Sequence, residues 1–267
     1  RIKGANSMYN VAKLSVRKNK TKAGYLVPDT ALVPKGKTVY ILPTAKADKS
    51  VPCTPDTVIN EEVFKDSYHY YTLAKEHNER LASCPILNET GGLVGLLQMA
   101  AKKGGNSFVM DASYAAQLAI SPLDATNADL KAIQIPKALP SSAQDAATFI
   151  FLSNSKDTTT YKLYIEDYLA AYPDSINGYI LKAEMQTAHK EYDKAEQSYK
   201  QALELKNANK DEVHFSWAKA LYNLNLDPSY KVYGQWTMEQ ALVQAQSASA
   251  VKDMQNKKKV QADCLYA

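Results

Sequence analysis

The hydrophobic pattern of the chain changes period once. Residues 1 to about 112 carry short apolar stretches of strand type: Val11 to Val16 alternates apolar and polar, and Thr38–Leu42 and Leu93–Leu97 are brief apolar runs. Turn signals separate them at Lys22-Ala23-Gly24, Pro34-Lys35-Gly36 and Asn88-Glu89-Thr90-Gly91-Gly92. Short strands with frequent turns predict a small barrel or sandwich. From Ala112 the period becomes helical. A short helix is expected over 113–120 and a polar, proline-punctuated linker over 121–142. Helices then follow almost to the end, including one from Val251.

The helical half repeats itself. Pro140 and Pro173 stand 33 residues apart, and each precedes a helix pair, 143–155 with 158–171 and 175–188 with 191–206. A third pair is expected from about Asp211, with its second helix at about 237–248 after a loop holding Asp227-Pro228 and Gly234. In the central pair, Ala195, Tyr199 and Ala202 fall at spacings of 4 and 3 on one face, where a helix hairpin needs small residues at the crossing and rings to fill it. Tyr161, Tyr164, Tyr168 and Tyr172 form one helix stripe, for which packing between repeats is the simplest role.

Composition narrows the function. Of 267 residues, 45% are hydrophobic and 22% charged, which is ordinary for a globular chain. A net charge of +4 with dispersed Lys and Arg gives no basic footprint for nucleic acid, and Lys257-Lys258-Lys259 reads as a solvated helix face. No run approaches the length of a membrane span. The cysteines Cys53, Cys84 and Cys264 are far apart and lack metal-type spacing. No cofactor motif is present. The excess of 18 Tyr over 5 Phe favours half-buried surfaces and recognition. Arg1 rather than Met opens the chain, so the compartment is unread; removal of an upstream signal peptide would make it secreted or periplasmic.

The run Asn177-Gly-Tyr-Ile-Leu-Lys-Ala183, followed by Tyr192-Asp-Lys-Ala195, Tyr199 and Ala202-Leu203, resembles the tetratricopeptide repeat (TPR) family. The flanking repeats depart from its pattern: Tyr161 replaces an expected alanine, and the third repeat has a lengthened turn. An unrelated helical bundle is the alternative, against which the proline spacing and small residues argue. The resemblance implies a superhelical groove lined by the first helix of each pair, which binds extended peptides or protein tails. It carries that lining onto Asn177, Ile180, Glu184 and Thr187, and onto Glu212, Phe215, Lys219 and Asn223. Their mixed charges do not match a basic clamp for C-terminal carboxylates.

In the first half, Ser83-Cys-Pro-Ile-Leu-Asn-Glu-Thr-Gly-Gly-Leu-Val-Gly-Leu-Leu97 resembles the region after the nucleophile in trypsin-like proteases. Asn106–Asp111 with the helix after it resembles the last strand and closing helix of that fold, and Met8–Ser15 its aspartate-bearing strand. The nucleophile's place then falls on Ala82, the aspartate's on Asn10, and the oxyanion-turn glycine's on Arg80. Ala82 has no atom to attack with, and Asn10 cannot stabilise an imidazolium as a carboxylate does. Ser83 or Cys84 as a shifted nucleophile, with His69 or His77 as base, is the remaining catalytic arrangement.

The expectation is therefore a multidomain α+β chain: an incomplete trypsin-like β-barrel over 1–112, a closing helix and linker over 113–139, and a TPR superhelix over 140–267. The expected role is non-enzymatic binding of a protein or extended peptide. The alternatives are a peptidase whose catalytic barrel lies partly upstream, with the repeats as substrate docking, and a purely structural scaffold.

Overall fold

The computed structural model describes residues 1–16, 26–43, 52–100, 104–153, 156–206, 209–250 and 265. Lys257–Lys259, Cys264 and the helix expected from Val251 lie outside them. The architecture is α+β, a closed six-stranded barrel followed by helices. The chain forms two compact units. The first holds Arg1–Ile120 with Ala132–Ala138, and the second holds Ser121–Lys131 with the helices from Leu139 onward.

The first unit opens with a two-stranded antiparallel ribbon, β1 (Ile2–Asn6) and β2 (Val11–Leu14). Then come β3 (Thr38–Ile41), β4 (Thr54–Phe64), β5 (Tyr68–Leu73), β6 (Pro85–Leu87), β7 (Leu93–Gln98) and β8 (Phe108–Asp111). These six close in the order β3-β4-β5-β8-β7-β6, antiparallel throughout, so none of the six is left with an open edge. Alternation decides which side chains face in. Val39 and Ile41 of β3 are buried while Thr38 and Tyr40 are not. They meet Val58, Tyr71, Leu73, Ile86, Leu97 and Val109 in the barrel core.

At Gly95 two strands nearly touch. A Cβ there would overlap the Met110 carbonyl oxygen and lie 2.6 Å from Val109 Cγ1. The chain leaves β8 through Asp111, which caps α1 (Ala112–Gln117): its Oδ1 accepts from Ser113 N at 2.7 Å. Its Oδ2 accepts from His69 N of β5 at 3.0 Å, tying strand and helix together. The helix ends at Gln117 rather than at 120, because Leu118 takes an extended backbone. Outside the barrel, Tyr9, Phe64, Tyr68, Tyr70 and Tyr114 form a second, aromatic cluster with Val11 and Met110. Part of the tyrosine excess is thus spent on internal packing.

The stretch read as a linker is partly ordered. It contains a 3-10 turn at Pro122–Ala125 and a short helix, α2 (Ala128–Ala132). Beyond α2 the backbone returns to β1: Ile2 N donates to the Pro136 carbonyl at 3.0 Å, and Ala138 N donates to that of Ile2 at 2.6 Å.

The second unit contains α3 (Ala143–Leu152), α4 (Thr158–Ala171), α5 (Ile176–Ala188), α6 (Tyr192–Glu204), α7 (Lys210–Asn225) and α8 (Met238–Ser249). Their bounds follow the three expected pairs closely. Ala183, Ala195 and Ala202 are fully buried, and the missing bulk lets the helices approach. Tyr199 and Trp217 stack across the gap, with centroids 5.2 Å apart and planes 8° off parallel. Ala195→Leu forces three extra carbons into this contact, and the expected cost is ~1–3 kcal/mol. Thermal unfolding followed by tryptophan fluorescence measures it; both tryptophans belong to this unit, and an unchanged midpoint contradicts the packing.

Candidate functional site

The first helix of each pair contributes to one cleft. Along α5, Asn177, Ile180, Glu184 and Thr187 recur at spacings of 3 and 4; along α7, Glu212, Phe215, Lys219 and Asn223 do the same. These stripes border two adjoining cavities. The first, about 390 Å³, is lined by Asn177, Ile180, Glu184, Glu212, Phe215 and Lys219, with Ala147, Thr148 and Phe151 from α3. The second, about 450 Å³, takes in Thr187 and Asn223, with Lys190, Tyr192 and Asp227. Glu184, Ser216 and Lys219 line both, so the two cavities form one continuous surface. The structure therefore brings all eight sequence-derived positions together. Tyr222, beside Asn223 on α7, packs against the core of the unit.

Glu184 is the electrostatic centre of this surface. Its Oε1 accepts a hydrogen bond from Ser216 Oγ at 3.1 Å. Surrounding side chains strip water from the carboxylate and raise its pKa, against which Ser216 and the charge of Lys219 pull downward. Tyr161 of α4 is pushed up by burial and then by the Glu184 charge. Tyr199 of α6 is pushed up strongly by burial; it stands beside Ser216 without closing a well-formed hydrogen bond. Phe215 divides itself: part of the ring packs on Ala248 of α8 and part lines the first cavity. Sequence reasoning missed Ser216, Phe151 and the two tyrosine neighbours. Ser216 was within reach of the pattern, lying four residues after Glu212 and three before Lys219.

The shift at Glu184 has a measurable sign. A carboxyl whose folded pKa is raised stabilises the fold below its unfolded pKa, and that contribution disappears as pH rises through the folded value. Glu239, by contrast, is held below the ordinary value by hydrogen bonds from its own helix start and Thr237. An NMR titration of the glutamate side-chain carboxyl carbons is expected to place the Glu184 midpoint above that of Glu239. The reverse order would mean that the Glu184 carboxylate is solvated.

The protease-like segment has a different character. Residues Glu79–Leu81 form one 3-10 turn, and Ala82 ends it on the exposed surface. The amides here already have acceptors. Arg80 N donates to Asn78 Oδ1 at 2.9 Å, Ala82 N to the Glu79 carbonyl at 3.0 Å, and Ser83 N to that of Leu97 at 2.8 Å. Ser83 sits at φ 64°, in the left-handed region. Cys84 is buried in the barrel core, out of reach of any substrate. Asn10 occupies the turn of the β1–β2 ribbon at φ 47°, a conformation asparagine tolerates well.

Both candidate histidines lie beside carboxylates that the sequence did not identify. His69 Nδ1 is 3.1 Å from Glu61 Oε1 without closing a well-formed hydrogen bond. His77 Nε2 is 2.7 Å from Asp56 Oδ2, and the two side chains are almost fully buried. Asp56 also accepts from Thr57 N at 2.7 Å and Lys75 N at 3.3 Å. The nearby Ser107 hydroxyl accepts from the His77 backbone amide at 3.0 Å. It is the main chain, not the imidazole, that engages this serine, so the arrangement braces the end of the β4–β5 hairpin. Among the described residues no cluster of three or more His, Cys, Asp or Glu could hold a metal ion, and no helix is long and apolar enough to cross a membrane.

Fold and site together define a class: an α+β chain with a closed barrel, whose helical hairpins carry an amphipathic cleft. No family model matches the chain, and no curated protein matches it. Among solved structures it is similar to the inactive form of a serine-to-alanine mutant of Rv3671c from M. tuberculosis H37Rv. The identity is 18% over 51% of this chain and 66% of that chain, with a TM-score of 0.35. The match thus spans just under two thirds of that chain.

Proposed function

We propose that this chain is a non-enzymatic protein-interaction module, in which a degenerate trypsin-like barrel is joined to TPR-type repeats that hold an extended peptide or protein segment in their cleft. The observation that carries the proposal is the convergence of both helix stripes, α5 and α7, on one continuous pair of cavities with apolar walls and a carboxylate between them. Helical repeats expose such a face because each hairpin buries only one side against its neighbour. Panning a random peptide library on the full chain is expected to yield binders that compete with one another. Phe215→Ala is expected to weaken them by about tenfold, as removal of an interface anchor does. Binders indifferent to Phe215→Ala and Lys219→Glu would place the binding surface elsewhere.

Support for the absence of peptidase chemistry comes from three places. Ala82 offers no nucleophile, the amides around it are already bonded to internal acceptors, and Cys84 is enclosed. The peptidase alternative draws on the buried His77–Asp56 pair, but Ser107 meets the backbone amide of His77 rather than its imidazole, and all three side chains are buried. Incubation with unstructured casein and with a serine-directed fluorophosphonate probe is expected to give neither cleavage nor labelling. Labelling at Ser83 or Ser107 would overturn the reading.

A further inference from the structure

We propose that the segment held in this cleft presents an arginine or lysine next to a bulky apolar residue, with the cation against Glu184 and Glu212 and the apolar side chain against Phe151, Ile180 and Phe215. The proposal rests on the cleft being the binding surface and adds what kind of peptide it selects.

The charge distribution points to a cation. Among the described residues the first cavity has two carboxylates, Glu184 and Glu212, and one ammonium, that of Lys219. Local negative excess thus stands out on a chain whose net charge is +4. The group that hydrogen-bonds Glu184 is a hydroxyl: Ser216 donates to it, and Tyr199 stands beside Ser216. Neutral donors orient a carboxylate without cancelling its charge. Among the described residues Glu184 makes no ion pair within 4 Å. The attraction of Lys219 ranks behind both the desolvation and the Ser216 bond. A partly desolvated carboxylate held by a neutral hydroxyl, with Lys219 beyond ion-pair distance, gains from a ligand cation that reaches it directly, and a guanidinium adds a two-pronged bond. An acidic ligand would instead need converging cations, and among the described residues Lys219 is the single one lining the first cavity.

The apolar half of the motif has its own evidence. Phe151, in the last turn of α3, has 76% of its surface exposed, a ring on the wall of the same cavity. Ile180 and the free part of Phe215 stand on the other two helices that line it. Aromatic anchors ringed by polar groups are the usual composition of interface hot spots.

The test is an array of nonapeptides with leucine on both sides of a central residue that is varied, probed with the full chain and quantified by fluorescence anisotropy. Peptides with central Arg or Lys are expected to bind about tenfold tighter than those with Gln or Glu, in a salt-sensitive way. Glu184→Gln, with far-ultraviolet circular dichroism unchanged, is expected to cut the Arg-over-Gln preference below about threefold. Glu212→Gln gives an independent reading of the same preference should Glu184→Gln disturb the fold. Phe215→Ala is expected to weaken all peptides alike. If peptides bind and respond to Phe215→Ala but favour central Glu, or show no charge preference, the cation assignment fails and the cleft reading stands. If no peptide binds, or if Phe215→Ala changes nothing, both fail. Self-association of the chain that is abolished by Phe215→Ala, with no peptide binding, assigns the cleft to a second copy and overturns the proposal.

Discussion

Gly95→Val is expected to open the barrel between β7 and β8. The position pairs with Asp111 across the ladder, and a Cβ would overlap the Met110 carbonyl oxygen, which is main chain and has no rotamer to move into. Separating the strands to admit the side chain costs the ladder bonds on either side and opens the core at Leu97 and Val109. The expected destabilisation is about 3 kcal/mol or more, at the upper end of what overpacking produces. Hydrogen exchange is the appropriate measurement, with protection at Leu96, Leu97 and Met110 expected to collapse. Gly178→Ala is the control. There the tightest contact of a Cβ, at 2.6 Å, is with Leu169 Cδ2, the end of a side chain that can rotate away, while the buried Tyr168 ring stands at 2.9 Å, so a smaller, side-chain clash is expected than at Gly95. Equal loss of protection from the two substitutions would mean that the barrel tolerates a wider β7–β8 spacing.

The helical half was legible in the sequence because its information is local. Spacings of 3 and 4 fix which residues share a face, and the alanines at 183, 195 and 202 mark where helices touch. The barrel hid its longest hairpin. In β4 only Asp56 and Val58 are buried, and the outward run Asn60-Glu61-Glu62 together with Pro55 reads as loop. In β5 tyrosines point both ways: Tyr71 into the core, Tyr70 onto the external aromatic cluster. A strand with rings on both faces shows no alternation to detect.

The same contrast holds at the candidate site. The eight lining positions follow from helix periodicity, whereas the environment of Glu184 is assembled from three other helices through Tyr161, Tyr199 and Ser216. Its Ser216 bond spans 32 residues of sequence, and periodicity carries no information about such a partner. Nor could the carboxylates facing His69 and His77 be named in advance, since both come from the unrecognised strand β4.

Trp236→Ala is expected to be the most damaging single truncation in the helical unit. The sequence pattern registered the stretch before α8 as a turn longer than its repeat requires, and the structure shows what the extra length does. Trp236 is 1% exposed and the largest of the fully buried side chains. Its ring lies 5.2 Å from that of Tyr192, at the start of α6, so the loop fills a space between hairpins that a shorter turn would leave open. Its carbonyl accepts from Tyr230 Oη at 2.9 Å and Asn225 Nδ2 at 3.2 Å, which fixes the loop on the end of α7. Removing the indole leaves a cavity that the helices cannot close without breaking those bonds, and the expected cost is about 3–5 kcal/mol. Trp217 remains as the fluorescent reporter, and its urea transition is expected to move to lower denaturant. Trp236→Phe, which keeps an aromatic ring on Tyr192, is expected to recover part of the loss. A transition unmoved by Trp236→Ala would mean that the loop packs outside the core of this unit, and that α6 and α7 hold together without it.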